Sequence, residues 1–314
     1  KQGEGLVVYE CNASAFHERQ AELGLMEQLS GSDATRDLFL EMQPIMALHN
    51  PHNSLNFEVL LRMRGSGGSI IPAGRIISAA EKSGMTGTID RWVLATTLQW
   101  IEENLPALSA TQFVCMNLSG ASLNDEHFIQ DILVTLDEYP VGARYLCIEI
   151  TESVALHDMH NTRRFIDQIR SCGVRVALDD FGAGYTSFSY LKELPADVLK
   201  IDGRFVQNIN AHPANAAIVE AIVKLAMNLG MRTIAEWAED AATARTLAEI
   251  GVDYVQGFVV ARSQPAHRIL EAASAASFIS DPAMLALADE LARSADRHGD
   301  RNNVLSFKDM HEAG

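Results

Sequence analysis

Apolar and polar positions follow two different periods along this chain, and the two periods take turns in a regular order. Apolar runs rich in β-branched and aliphatic residues recur at 38–48, 56–63, 113–119, 145–151, 174–179, 197–202, 231–236 and 252–258, with the length and composition of buried strands. Between them lie stretches of helical spacing: 74–83 before Gly84, 90–104 before Pro106, 214–229 before Gly230 and 239–250 before Gly251. The polar segment HNPHNS separates the first two runs and has the composition of a hairpin loop. After it, strand and helix alternate, which implies parallel strands joined by crossover helices. Eight strands with intervening helices over about 230 residues predict a (β/α)8 barrel of the TIM type, modified by its opening hairpin.

The polar residues inside these apolar runs gather at one end. Asn117, Glu149, Asp179 with Asp180, Lys200, Glu236 and Gln256 each stand at or near the C-terminal end of successive runs, where a barrel of this type assembles its active site. Within 56–63, alternation puts Glu58, Leu60 and Arg62 on one face and Phe57, Val59 and Leu61 on the other. Taken alone, Asp179-Asp180 reads as a turn or helix-cap pair. The whole series reads differently. A buried Lys and crowded carboxylates are costly unless compensated, and divalent cations bound through oxygen would hold the acids together.

Composition narrows the partners. The chain of 314 residues carries a formal charge of −16, which argues against a nucleic-acid polymer, because that affinity is built from clustered Lys and Arg. A small anionic substrate still fits if metal supplies local positive charge. No run of eighteen apolar residues and no signal-peptide pattern occurs. Cys11, Cys115, Cys147 and Cys172 form no C-x-x-C pair, and the expectation is a soluble domain of a reducing cytoplasm. The strand-like run 5–9 and the helical stretch 12–30, with Phe16, Leu23 and Met26 towards one side, are either an ordinary N-terminal decoration or, as we read them, the tail of an upstream domain and a connecting helix. On this reading 1–31 is that tail and 32–278 the barrel, closed by a helix from Pro265 to about Phe278. Residues 279–314 are an extension, helical around 283–294. His49 and His52 on the hairpin turn, and His157 and His160 further on, read as solvated surface residues.

Several motifs then occur in order between 36 and 270: QPI at 43–45, Glu58-Val59-Leu60 followed by Arg62, IPAGRIISAAEKSG at 71–84, and MNLS with Asn117. IEITES at 148–153, DDFGAGYTSFSYLKELPADVLKID at 179–202, AE at 235–236 and QGF at 256–258 complete the set. This set resembles the EAL family of cyclic di-GMP phosphodiesterases, with Glu58-Val59-Leu60 as the Glu-Ala-Leu tripeptide. The resemblance implies two ions, Mg2+ or Mn2+, which can activate a water and stabilise charge on phosphoryl oxygens. It implies Glu58, Asn117, Glu149 and Asp179 as ligands of one ion, and Asp179, Asp180 and Glu236 as ligands of the second. Lys200 would lie near the attacking water, and repulsion from the ions should lower its pKa. Glu58, Lys200 and Glu236 would thus be the catalytic groups.

By the same resemblance Arg62 would grip a phosphate as a fork, with Gln43, Leu60, Asp202, Glu239 and Gln256 as further substrate contacts. Glu152 would hold the glycine-hinged loop 181–192, the element that couples to a homodimer partner on the active-site side. GLVVYE near the start resembles the last strand of a GGDEF-type cyclase domain, implying a cyclase or sensory domain upstream; beginning at Lys1, the chain reads as part of a longer one, which can carry a membrane anchor elsewhere. One departure stands out: AEWAE at 235–239 places Trp237 where the family usually has glycine, which bears on loop shape and substrate affinity. The implied reaction opens cyclic di-GMP to linear pGpG. The alternative is a catalytically silent receptor for the same nucleotide; such members typically lose a site acid, and this chain keeps each one. A sugar- or acid-processing metal barrel would not account for the match over 179–202.

Overall fold

The computed structural model describes residues 13–31, 33–182 and 188–298. The expected strand at 5–9, the middle of the glycine-hinged loop at 183–187 and the extension past 298 lie outside the described residues. Among the described residues there are ten strands: β1 Leu38–Ala47, β2 Asn56–Arg64, β3 Ile70–Pro72, β4 Val114–Asn117 and β5 Leu146–Thr151. They continue with β6 Arg175–Phe181, β7 Val198–Ile201, β8 Arg232–Ala235, β9 Tyr254–Gln256 and β10 Gln264–Pro265. The sheet order is β10-β1-β9-β8-β7-β6-β5-β4-β2-β3, and pairing of β1 with β2 closes it into an eight-strand barrel flanked by β3 and β10. From β2 through β4 to β9 every neighbouring pair is parallel. The opening hairpin inverts β1, which runs antiparallel to both β2 and β9.

Strand alternation places the site. Ile45, Ala47, Phe113, Cys115, Cys147, Ala177, Val198, Ile234 and Tyr254 form a small apolar plug of their own inside the barrel. Side chains two residues apart on a strand share a face. Stepping two residues on from Cys115, Cys147, Ala177, Val198, Ile234 and Tyr254 therefore gives Asn117, Glu149, Asp179, Lys200, Glu236 and Gln256. Each strand from β4 to β9 thus lays an apolar residue in the plug with a polar residue above it. On the inverted β1 the count runs backwards, so Gln43 joins the same layer, two residues before Ile45. The outward positions, among them Phe57, Val59, Ile148, Val176, Leu178 and Leu199, are buried in the larger core under the helices, each such side chain contributing about 1.5–3 kcal/mol. Other acids serve the helices themselves: Asp125, Asp158 and Asp240 accept backbone N–H bonds at the starts of helices Glu126–Glu138, Met159–Ser171 and Ala241–Ile250.

Several expected elements take a different form in the structure. Helix Ala13–Ser30 buries Leu25 and Leu29, whereas Phe16 and Leu23 are 61% and 53% exposed. Residues 16 and 25 lie half a turn apart at about 100° per residue, and the Leu25 side is the one that meets helix Ala73–Ser83. Strand β6 continues through Asp179 and Asp180 to Phe181, past its expected end. Strand β9 is only Tyr254–Gln256, because Gly257 turns away with φ 152. The helix expected to run to Phe278 breaks after Glu271; Ala272 is extended, and Ser274 caps a separate short turn, Ala275–Phe278.

Candidate active site

Lys200 is the hub of the polar layer. Its Nζ lies 2.7 Å from Glu236 Oε1, 2.8 Å from Glu149 Oε2, 3.3 Å from Asp179 Oδ1 and 3.6 Å from Glu58 Oε2. Its side chain is 1% exposed. Burial pushes the Lys200 pKa down, but Asp179, Glu149, Glu236 and Glu58 outweigh burial and hold the ammonium well above the usual lysine range. The chain's own charges thus act in the sense opposite to that expected from nearby dications. Burial, reinforced by Glu58, drives the Glu149 carboxyl well above the ordinary range. Glu236 is pushed up to about 7, again by burial first, with Lys200 opposing and Asp179 adding to the rise. One ammonium does not balance Glu58, Glu149, Asp179, Asp180 and Glu236, so this cluster stores repulsion that a cation would relieve.

The backbone of β6 shapes the acid pair. In a regular strand Asp179 and Asp180 would point to opposite faces. Here the register with β7 shifts between Leu178 and Phe181, and Asp180 takes φ 55. Such a bulge re-aims side chains, and Asp is among the residues that best tolerate this left-handed conformation. As a result ligand oxygens of Asp179, Asp180 and Glu236 come within 4.8 Å of one another. Glu149 Oε1 is buried without a hydrogen-bond partner, and Asp179 Oδ1 makes no hydrogen bond and faces only the shared Lys200 ammonium at 3.3 Å, which for carboxylate oxygens calls for a further cation. An all-oxygen donor set with orphaned buried oxygens fits a hard divalent ion.

Glu58 is oriented by two amides: Asn117 Nδ2 donates to its Oε1 and Gln256 Nε2 to its Oε2, both at 2.6 Å. Gln256 Nε2 also reaches Gln43 Oε1 at 3.3 Å. Beside them opens a cavity of about 470 Å3 lined by Gln43, Glu58, Leu60, Gln207, Glu236, Trp237, Glu239, Gln256, Gly257 and Phe258. Two glycines give it its form. A Cβ on Gly257 would fall 2.2 Å from the Ala238 carbonyl oxygen, and one on Gly203 would fall 2.4 Å from Trp237 Cγ. Trp237 itself has φ 55, a conformation that costs a bulky residue on the order of 1–3 kcal/mol. The loop that glycine would make easily is therefore kept, with an indole imposed on it.

Other expected residues sit differently. The Arg62 guanidinium is already engaged, by Glu41 Oε2 at 2.9 Å, the Leu61 carbonyl at 2.9 Å and Ser263 Oγ at 3.2 Å. Asp202 caps helix Gly203–Val206 and pairs with Arg204 at 2.8 Å. Neither Arg62 nor Asp202 lines the cavity. Glu152 is buried, accepts the Gly182 N–H at 3.0 Å and accepts the Tyr190 hydroxyl. The sequence reading missed Tyr190, Gln207 and Phe258. It also missed Asp90, whose carboxylate accepts from Ser119 N at 3.3 Å and Ser122 Oγ at 2.7 Å and so braces the loop after Asn117. Only Phe258 carried a local signal, an aromatic next to Gly257 at a strand end.

Barrel, polar layer and cavity define a (β/α)8 protein with a carboxylate-rich candidate metal site. Residues 26–263 match the EAL domain, and the chain belongs to that family. It is 35% identical over 229 residues to the cyclic di-GMP phosphodiesterase PdeB of Shewanella oneidensis, covering 73% of this chain and 27% of that protein. It is 32% identical over 248 residues to the cyclic di-GMP phosphodiesterase PdeF of Escherichia coli, covering 79% of this chain and 33% of that one. The chain thus spans about a quarter to a third of these relatives. Among solved structures, the PaMucR phosphodiesterase in complex with c-di-GMP superposes with a TM-score of 0.72 at 31% identity, over 78% of this chain and 99% of that one. Among the described residues no helix is long and apolar enough to cross a membrane.

Proposed function

We propose that this chain is a metal-dependent phosphodiesterase that hydrolyses cyclic di-GMP to linear pGpG. The observation that carries the reading is the convergence of Glu58, Glu149, Asp179 and Glu236 on Lys200 beside an open cavity at the barrel mouth. The names of PdeB and PdeF support the choice of substrate.

Asp179, Asp180 and Glu236 would hold one ion and Glu58, Asn117, Glu149 and Asp179 the other, each Mg2+ or Mn2+. When bound, such ions make water a better nucleophile and neutralise charge on phosphoryl oxygens. Lys200 Nζ keeps Glu149 and Glu236 in place and presents an N–H to the water that attacks phosphorus. Gln43, Leu60, Glu239 and Gln256 line the cavity that takes the nucleotide, and Gln256 and Asn117 fix the rotamer of Glu58 through its two oxygens. Arg62 contacts phosphate by exchanging its bond to Glu41, and Asp202 acts from the rim through Arg204. Glu152 holds the loop after β6, the surface through which we expect a homodimer. The assigned spans are a connecting tail at 1–31, a catalytic barrel at 32–278 and an extension at 279–314, in a cytoplasmic protein with a sensory or cyclase domain upstream. Incubating the purified chain with cyclic di-GMP and Mn2+ and separating the products by chromatography tests the reading. Formation of pGpG supports it; binding without cleavage would make the chain a receptor.

A further inference from the structure

Two large aromatic side chains are exposed at the cavity: Trp237 is 56% and Phe258 55% exposed. Proteins seldom leave such rings uncovered together without a partner for them. Phe258 already has one, since Arg262 lies over its ring with the guanidinium carbon 3.9 Å from the centroid. Trp237 is the more telling of the two. Its backbone sits in the left-handed region, φ 55, so the chain tolerates local strain to keep an indole at this spot. The indole is also fixed in place. Its inner atoms rest on Gly203, where an added Cβ would come within 2.4 Å of Cγ and Cδ2, while the remainder is open to the cavity shared with Glu236 and Glu239. A rigid, half-exposed indole beside groups that can hydrogen-bond a base edge is a stacking platform, because every nucleobase offers a π-face.

We infer that Trp237 is a base-stacking residue: one guanine of the bound dinucleotide lies on its indole, and this contact sets substrate affinity. The inference rests on the phosphodiesterase reading and deepens it. It assigns to Trp237 a binding role and leaves the chemistry of phosphate cleavage to the acids and Lys200.

The test titrates cyclic di-GMP into the chain with Ca2+ in place of Mg2+, followed by calorimetry and by indole fluorescence. The chain has three tryptophans, and the other two, Trp92 and Trp100, are on helix Thr86–Asn104. Stacking should quench the wild-type emission, and Trp237→Phe should lose the quench while keeping most of the affinity. Trp237→Ala and Trp237→Gly should each bind about 5- to 150-fold more weakly, the range that base stacking on an aromatic carries. With Mg2+ present, KM should rise by the same factor while kcat moves less. Trp237→Gly relieves the left-handed backbone, and an unchanged Tm beside its raised Kd separates lost stacking from misfolding. Alanine and glycine variants that match wild type in Kd and KM would overturn the inference and leave the phosphodiesterase reading standing. A wild type that neither binds nor cleaves cyclic di-GMP would overturn both.

Discussion

The carboxylate of Glu152 accepts the backbone N–H of Gly182 at 3.0 Å. The same buried carboxylate accepts the Tyr190 hydroxyl, so one acid ties together the two described ends of the loop that follows Asp180. Hydrogen bonds to a charged group are worth about 1.5–3 kcal/mol each. Glu152→Ala should therefore let Asp180 drift, weaken apparent Mg2+ affinity by roughly tenfold or more, which is about 1.4 kcal/mol, and loosen any dimer formed over this face. Kinetics across Mg2+ concentrations together with sedimentation would read both effects. If metal dependence and association were unaltered, Glu152 would be no more than the first residue of helix Glu152–His157.

Lys200 and Glu149 are expected to respond oppositely to neutralisation. Lys200→Ala removes the cation that Glu58, Glu149, Asp179 and Glu236 share. Breaking such a buried arrangement costs about 3–5 kcal/mol, a fall in Tm on the order of 5–15 °C in chelator, partly recovered on adding Mn2+. Glu149→Gln removes one crowded carboxylate instead. Its Tm in chelator should stay level or rise, although turnover is lost and the gain on adding Mn2+ shrinks. Thermal unfolding with and without Mn2+ checks the pair. An unchanged Tm for Lys200→Ala would remove the charge balance attributed to it.

Gly203 and Trp237 should be coupled. A methyl at 203 collides with the indole, and overpacking of this kind costs about 1–3 kcal/mol. Gly203→Ala should thus destabilise the wild type, yet be nearly neutral in a Trp237→Gly background. Denaturant unfolding of the four members of the cycle measures the coupling. Equal costs in both backgrounds would mean that the indole does not rest on Gly203.

How much of this was legible beforehand follows from the range of each signal. Alternation with period two is local, so Asn117, Glu149, Asp179, Lys200, Glu236 and Gln256 could be placed at one end of the barrel from the sequence. The convergence of Glu58 on Gln256 and Asn117 agrees with that placement. What the sequence did not carry was either a break in the period or a contact set by register. The bulge that turns Asp180 to the side of Asp179 leaves no mark beyond the two acids themselves. The engagement of Arg62 by Glu41 depends on how β1 pairs with β2, and the bonds of Asp90 to Ser119 and Ser122 join a helix to a distant loop. In helix Ala13–Ser30 two sides carry apolar residues, and only tertiary packing decides that Leu25 and Leu29 are the buried side. Trp237 was conspicuous as a departure, but its left-handed backbone and its seat on Gly203 are three-dimensional facts.

Ligand variants test the assignment of residues to the two proposed ions. Glu58→Ala and Asp179→Ala should both lose turnover, with the larger loss at Asp179, which touches Lys200 and also groups with Asp180 and Glu236. Partial nucleotide binding should survive in both, because Leu60, Trp237, Glu239 and Phe258 still line the cavity. Near-normal turnover by Asp179→Ala would refute its assignment as the ligand common to both ions.

The most direct measurement is a Mg2+ titration of the metal-stripped wild type, with conversion of cyclic di-GMP followed by chromatography. No pGpG should form at the start of the titration, and its rate of formation should climb to a plateau as Mg2+ is added. Full turnover after exhaustive chelation, or intact cyclic di-GMP at every Mg2+ concentration, would contradict the account.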